Sequence, residues 1–263
     1  MKSTRTSWQV TRSVWHALLM REALARTTGN RMAWFWMLFE PAAMIAIMVA
    51  IRSVAGGSNI RTSGAEFVPW LICGLFGFFL FRENMMRSIG AVNANKALFA
   101  YRQVLPIDPV IIRCFVEGML KSVIFVMFIM IGELMGANLF PSNILYALEA
   151  WLALWLLGLG AGLSLSASST LIPEIGKIVQ LTSLPLLLMS GVMFPLNFLP
   201  YEIQQYLLLN PIVHGLETLR TAFFPLYRSL NGISITYLWL WALSLATFGL
   251  MLHLKFAIRF RAL

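Results

Sequence analysis

Apolar residues fall along this chain in long runs separated by shorter polar stretches, and a helix crosses a bilayer with about 20 consecutive apolar residues. Runs at 32–54, 67–81, 114–135, 144–165, 178–191 and 235–257 predict six transmembrane helices. The second is compact and ends at Arg82-Glu83; the fifth is bent by Pro185 and stops at Gly191. Ahead of the first run, a helical wheel over residues 5–20 gathers Arg5, Gln9, Arg12 and His16 on one side. Val10, Val14, Ala17 and Leu18 lie opposite, with Trp8 and Trp15 between. Residues 1–31 therefore read as a cytoplasmic segment whose helix either lies in the membrane interface or folds against the bundle.

Two stretches break the pattern. Residues 82–113 are too long and polar for a turn and too polar to span, and they close on Pro106-Ile107-Asp108-Pro109. They read either as a helix-capable cytoplasmic segment where a soluble partner docks or as a solvated loop. Residues 192–231 are half-apolar and cut by Pro195, Pro200, Pro211 and Pro225. Within them, Asn210-Pro211-Ile212-Val213-His214-Gly215-Leu216-Glu217-Thr218-Leu219-Arg220 carries three ionisable groups between membrane-length runs. Hydrocarbon penalises bare charge and exposed backbone, so this segment must be buried in protein, line a watery cavity or sit at the interface. A re-entrant helical segment between spans five and six is the expectation. The fold class is all-α integral membrane, one transmembrane domain over residues 1–263.

Composition agrees. Hydrophobic residues make up 59% and charged ones 12% of the chain, against nearer half and a quarter in soluble domains. The net charge of +9 is dispersed beside apolar runs, which fits topology and anionic lipid rather than nucleic acid. Lys and Arg concentrate in the N-terminal segment, after the second run and in the C-terminal tail, Arg61 being an exception. Both termini should then be cytoplasmic. No cleavable signal peptide is visible, so the first span serves as the targeting signal. Cys73 and Cys114 sit in or beside apolar runs and read as packing residues.

Catalytic chemistry is poorly supplied. Gly176-Lys177 is followed by Ile178 where a phosphate loop needs Ser or Thr, and Leu171 stands where its first glycine belongs. Any ATPase activity must come from a partner. One aspartate, Asp108, and three scattered histidines form no metal or hydrolytic pattern. A membrane-embedded enzyme of glycan or lipid synthesis stays as the rival class. Glu40, Glu117, Glu133 and Glu149 lie in or near the runs and need partners or water. Lys121, four residues after Glu117, reads as its local ion-pair partner, the alternative being that the two take part in the transport path. Gly158 to Gly162 and Gly132 to Gly136 allow close helix approach, within the bundle or at a dimer seam.

The ordered pieces resemble a known family. Arg21-Glu22, Arg26-Thr27-Thr28-Gly29-Asn30-Arg31, Trp36 and Glu40-Pro41 lead into span one. Ser190-Gly191-Val192-Met193-Phe194-Pro195 with Leu199-Pro200 forms the break after span five, and the Asn210–Arg220 segment follows. Together they resemble the membrane subunit of ABC type-2 exporters, most closely the capsular-polysaccharide permeases of Gram-negative bacteria (Kps/Bex/Ctr type). The resemblance implies a homodimer in the inner membrane paired with two copies of an ATP-binding subunit that holds ATP and Mg, this chain binding no cofactor itself. It implies a lipid-linked polysaccharide substrate and periplasmic co-polymerase or adaptor and outer-membrane export partners. Another lipid-linked glycan, O-antigen or teichoic acid, is the alternative cargo.

By the same resemblance a coupling helix maps to about residues 82–100, with Arg82, Glu83, Arg87, Asn93 and Lys96, and the turn at 173–177 faces the same side. Trp34, Phe35, Trp36 and Phe39 would stack on sugar rings or form an interfacial aromatic belt. Arg26, Arg31 and Arg87 would draw a polyanion. Glu40 is either path-facing or a structural hydrogen-bonding group. His214, Glu217 and Arg220 are expected to form a gate.

Overall fold

The computed structural model describes residues 6–29, 32–56, 61–62 and 64–261. Arg5 and Arg31 lie outside the described residues. The chain is an all-α membrane protein. Among the described residues, strand is confined to a two-residue antiparallel pair, Arg61–Thr62 with Ala65–Glu66. Among the described residues, five helices are long and apolar enough to cross a membrane: α2 (Ala33–Gly56), α3 (Phe67–Ile89), α5 (Asp108–Leu134), α6 (Ile144–Leu171) and α10 (Ile235–Lys255). The expected fifth span, α7 (Glu174–Met189), has 16 residues. At 1.5 Å per residue that is about 24 Å, short of a hydrocarbon core about 30 Å thick. It ends in a turn at Gly191, whose φ of +66° suits glycine.

Helix α3 is the centre of the bundle. Every residue from Pro69 to Phe81 is buried, as expected of a helix apolar on all sides. It does not stop at Arg82. Residues 82–89 contain no breaker, and the helix continues to Gly90. The expected 82–113 segment is thus divided. Its start belongs to α3, its middle forms a knob of α4 (Ala91–Ala94) and a 3₁₀ turn (Lys96–Ala100), and its end opens α5. Asp108 sets that last boundary: its Oδ2 accepts from the Leu105 amide at 2.8 Å.

Helix α6 packs α3 on one side and α10 on another. Gly158 and Gly162, one turn apart, face Phe81, Asn84 and Ser88 of α3. Gly160, on a different side, lies against the backbone of Ala242 and Ala246 of α10. Gly249 of α10 fits against Leu163 and Ser164, and Ser164 Oγ donates to the Leu245 carbonyl at 3.0 Å. The small residues of this GxxxG stretch are therefore used within the subunit.

The N-terminal helix α1 (Ser7–Thr28) folds against α5, burying Leu18 beside Ile112 and Val116. The 192–231 region holds α8 (Tyr201–Leu207) and α9 (Pro211–Phe223). Asn210 caps α9, its Oδ1 accepting from Ile212 N at 3.0 Å, with Pro211 in the first turn. Helix α9 is buried along almost its whole length against α3, α6 and α10. A short α11 (Ala257–Arg261) tucks Phe260 under the knob.

Candidate functional site

Helices α1, α2, α3 and α5 enclose a polar cleft of about 400 Å³ lined by Arg26, Trp36, Met37, Glu40, Arg87 and Lys121, among others. Glu117 anchors its charges. The Arg26 Nε lies 2.7 Å and the Arg87 Nε 3.5 Å from the same oxygen, Glu117 Oε1. Arg87 also pairs with Glu83 at 3.6 Å, and Arg82 with Glu83 at 3.5 Å and Glu40 at 3.7 Å. The expected Glu117–Lys121 pair does not form, because two guanidinium groups from α1 and α3 reach Glu117 first. Lys121, only 4% exposed, stands one turn further along α5 with its Nζ 5.5 Å from the Phe79 ring centroid. Among the described residues no carboxylate pairs with it.

Four of the residues expected on a substrate path thus meet in one place: Arg26, Trp36, Glu40 and Arg87. Trp34 and Phe39 are exposed on α2 away from the lining, and Phe35, Trp36 and Phe39 pack their rings on one another.

Helix α1 closes the cleft because polar links hold it in register with α5. Trp15 donates its indole N–H to Asp108 Oδ1 at 2.9 Å, and Glu22 pairs with Arg113 at 2.9 Å. Arg21 donates to the side chain of Asn95 in the knob.

A second cluster is sealed in the interior. Arg220 is fully buried; its Nη1 donates to Glu217 Oε1 and to the Gly191 carbonyl, each at 2.9 Å, and its Nη2 to the Val192 carbonyl at 3.2 Å. The guanidinium lies 3.7 Å above the Trp70 ring. Gly74 makes room for it, since a Cβ there would strike the guanidinium. Tyr227 donates its hydroxyl to the Glu217 carboxylate at 3.0 Å, and burial pushes its phenol up from the ordinary range. One ion pair thereby joins α3, α9 and the break after α7.

His214 sits apart from this pair. The Ser234 amide donates to its Nδ1 at 3.0 Å, and its Nε2 lies 2.8 Å from the Leu208 carbonyl. That pairing sets the neutral ring with its proton on Nε2, and burial holds it below the usual imidazole range. The three residues expected as a gate therefore serve two interior contacts.

The residues expected at the coupling helix also separate. Arg82, Glu83 and Arg87 work on α3, where Arg82 Nε additionally donates to Ser183 Oγ of α7 at 2.8 Å. Asn93 and Lys96 are exposed on the knob, whose other face buries Ala91, Val92 and Phe99. Lys177 is exposed beyond the same end of α3, beside the buried Gly176 that meets Ile89.

Residues 13–224 match the ABC-2 type transporter family. The chain belongs to that family. It is 34% identical over 249 residues to the polysialic acid transport protein KpsM of Escherichia coli, covering 95% of each chain. It is 28% identical over 253 residues to the capsule polysaccharide export inner-membrane protein CtrC of Neisseria meningitidis serogroup B, covering 95% of this chain and 94% of CtrC. Against BexB of Haemophilus influenzae, likewise a capsule polysaccharide export inner-membrane protein, identity is 28% over 209 residues, 80% of this chain and 78% of BexB.

Within this ABC-2 transporter chain, the sequence singled out Lys121, as an ion-pair partner or a path residue, but not Trp70 and Tyr227 as partners of the buried pair. The i, i+3 spacing of Glu217 and Arg220 was a usable signal for their pairing. Nothing local announces Trp70 or Tyr227, which reach the pair only through the packing of α3 and of the loop after α9.

Proposed function

We propose that this chain is the transmembrane subunit of an ATP-driven exporter that carries a lipid-linked capsular polysaccharide across the bacterial inner membrane. The observation that carries this reading is collinear similarity, over 95% of the chain, to proteins named for polysialic acid transport and capsule polysaccharide export. Two copies of the chain work with two copies of an ATP-binding subunit, which holds ATP and Mg. Both termini, the knob and the Pro173–Lys177 turn face the cytoplasm. A periplasmic co-polymerase or adaptor and an outer-membrane protein receive the polymer.

The geometry supports a route from partner to substrate. A push on the exposed Asn93 and Lys96 face of the knob passes through Asn95 to Arg21 of α1. Helix α1 carries Arg26 into the cleft, so the same push alters the Arg26–Glu117–Arg87 cluster. Packed elements transmit such shifts because they rearrange between discrete states rather than deforming continuously. The buried Glu217–Arg220 pair keeps the α7 break and α9 fixed against α3 while that happens.

Affinity purification of the tagged chain from its native membranes tests this reading. It should bring down a separate ATP-binding subunit in equal amount, with ATPase activity in the eluate. Purification of the chain alone, with glycan- or lipid-synthesising activity, would overturn it in favour of a membrane-embedded enzyme.

A further inference from the structure

The knob cannot hold its own pose. It consists of α4, four residues long, and a five-residue 3₁₀ turn, and helices this short are marginal by themselves. What lies beneath therefore sets where Asn93 and Lys96 point. Its inner face, Ala91, Val92 and Phe99, packs on Val110 of α5, Leu163 and Ala167 of α6, and Phe260 of α11. All of these contacts are made within one copy of the chain.

Phe260 differs from its companions. They come from helices of 27 and 28 residues. Phe260 comes from a five-residue helix whose Ile258, Arg259 and Arg261 are exposed, while its own ring is fully buried. Helix α11 follows α10 after a one-residue interruption at Phe256, and the Phe260 amide donates to the Phe256 carbonyl at 3.0 Å. On α10, the His253 ring meets Phe260 edge-on with centroids 5.6 Å apart, and its Nε2 lies 2.9 Å from Ser166 Oγ of α6. The ring is thus held at its base by α10 and α6, and it reaches the knob at its tip.

Close-packed interiors pass on displacement, because a shifted ring has no free volume to yield into. Movement of the knob therefore reaches α10 through Phe260 as well as α1 through Asn95 and Arg21. Helix α10 lies tightly on α6 at Gly160 and Gly249, with backbone close to backbone. A displacement at Phe260 is then carried by the helix pair.

We propose that Phe260 is a positioning residue for energy coupling: it sets the knob's pose for the ATP-binding subunit and carries the knob's movement into α10. This rests on the export reading above and adds a second output to the route through α1. Loss of the ring leaves the outward face of the knob unaltered, so the subunit still docks, but the knob gives way under load.

The test compares variants in the host and in the purified complex of the full chain with its ATP-binding subunit. Phe260→Ala should leave the level of the chain and the copurified subunit unchanged. Surface polysaccharide should fall about fivefold or more, while the complex keeps at least about half its ATPase rate. Phe260→Leu, which refills most of the space, should stay within about twofold of the wild type in both. Phe125→Ala opens a comparable cavity in a separate core cluster, against Trp151. It should lower export only as far as it lowers the level of the chain. If Phe260→Ala does not accumulate, Val92→Ala opens the same contact from the knob side, with a loss of about twofold or more expected. Normal export by the Phe260→Ala chain, loss of the subunit from its complex, or an ATPase rate that falls as far as export would overturn the proposal. If instead the wild-type chain brings down no ATP-binding subunit, the export reading itself fails and this proposal with it.

Discussion

Arg220 shows how a single charge is made tolerable deep inside this bundle. It uses two carbonyls left open where α7 ends, one carboxylate and one aromatic face. Removing one member of a buried ion pair strands the other, at a cost of about 3–5 kcal/mol. Arg220→Met should therefore markedly lower the thermal stability of the detergent-solubilised chain. Glu217→Gln added to it should recover part of the loss, since no lone carboxylate then remains. A purely additive double mutant would show that the two side chains do not act as a pair. At this scale the sequence revealed which groups needed partners but not which partners they found. Glu117 is the plain case: helix spacing pointed to Lys121 on its own helix, whereas Arg26 and Arg87 arrive from α1 and α3. Local periodicity carries no information about such neighbours.

At the scale of elements, hydrophobic runs located the helices and misjudged their ends. Helix α3 outruns its apolar stretch because Arg82, Glu83 and Arg87 are sound helix formers, and only Gly90 stops it. Helix α6 runs on to Leu171 through serines that bond back into their own helix. Ser168 Oγ donates to the Ser164 carbonyl at 2.8 Å and Thr170 Oγ1 to the Ser166 carbonyl at 2.7 Å. The fifth span falls short for the opposite reason, since a left-handed glycine turn cuts it at Gly191. The glycines of α6 were legible as close-approach sites, though their choice of neighbour was not. Gly160→Ala sets a methyl against the Ala242 carbonyl and the Ala246 amide of α10, backbone atoms that cannot step aside. It should reduce folded yield and melting temperature. Gly90→Ala, with open space around its Cβ, should leave both unchanged or slightly raised. Equal behaviour of the two in a thermal-melting assay would contradict the tight α6–α10 seam.

For the whole molecule, the consequential pattern is where charge is hidden and where it is displayed. The interior pair fixes α9, the cleft gathers cations beneath α1, and the knob turns Asn93 and Lys96 outward. Under the proposed export reading, the knob is the surface that meets the ATP-binding subunit. Lys96→Glu should accordingly reduce copurification of that subunit while leaving the level of the chain unchanged, because Lys96 is exposed and lies away from the buried face of Phe99. Full copurification would move the docking surface elsewhere. Class and helical architecture were readable from residue types alone, since hydrocarbon leaves few solutions for a chain this apolar. The cleft was half readable: its basic and aromatic members stood out, but their meeting depends on α1 folding onto α5.

The most direct measurement is surface polysaccharide assayed beside intracellular lipid-linked polymer in a host lacking this gene. Export of a finished lipid-linked glycan predicts loss from the surface with accumulation inside. Loss of both pools, or no change in either, would contradict it.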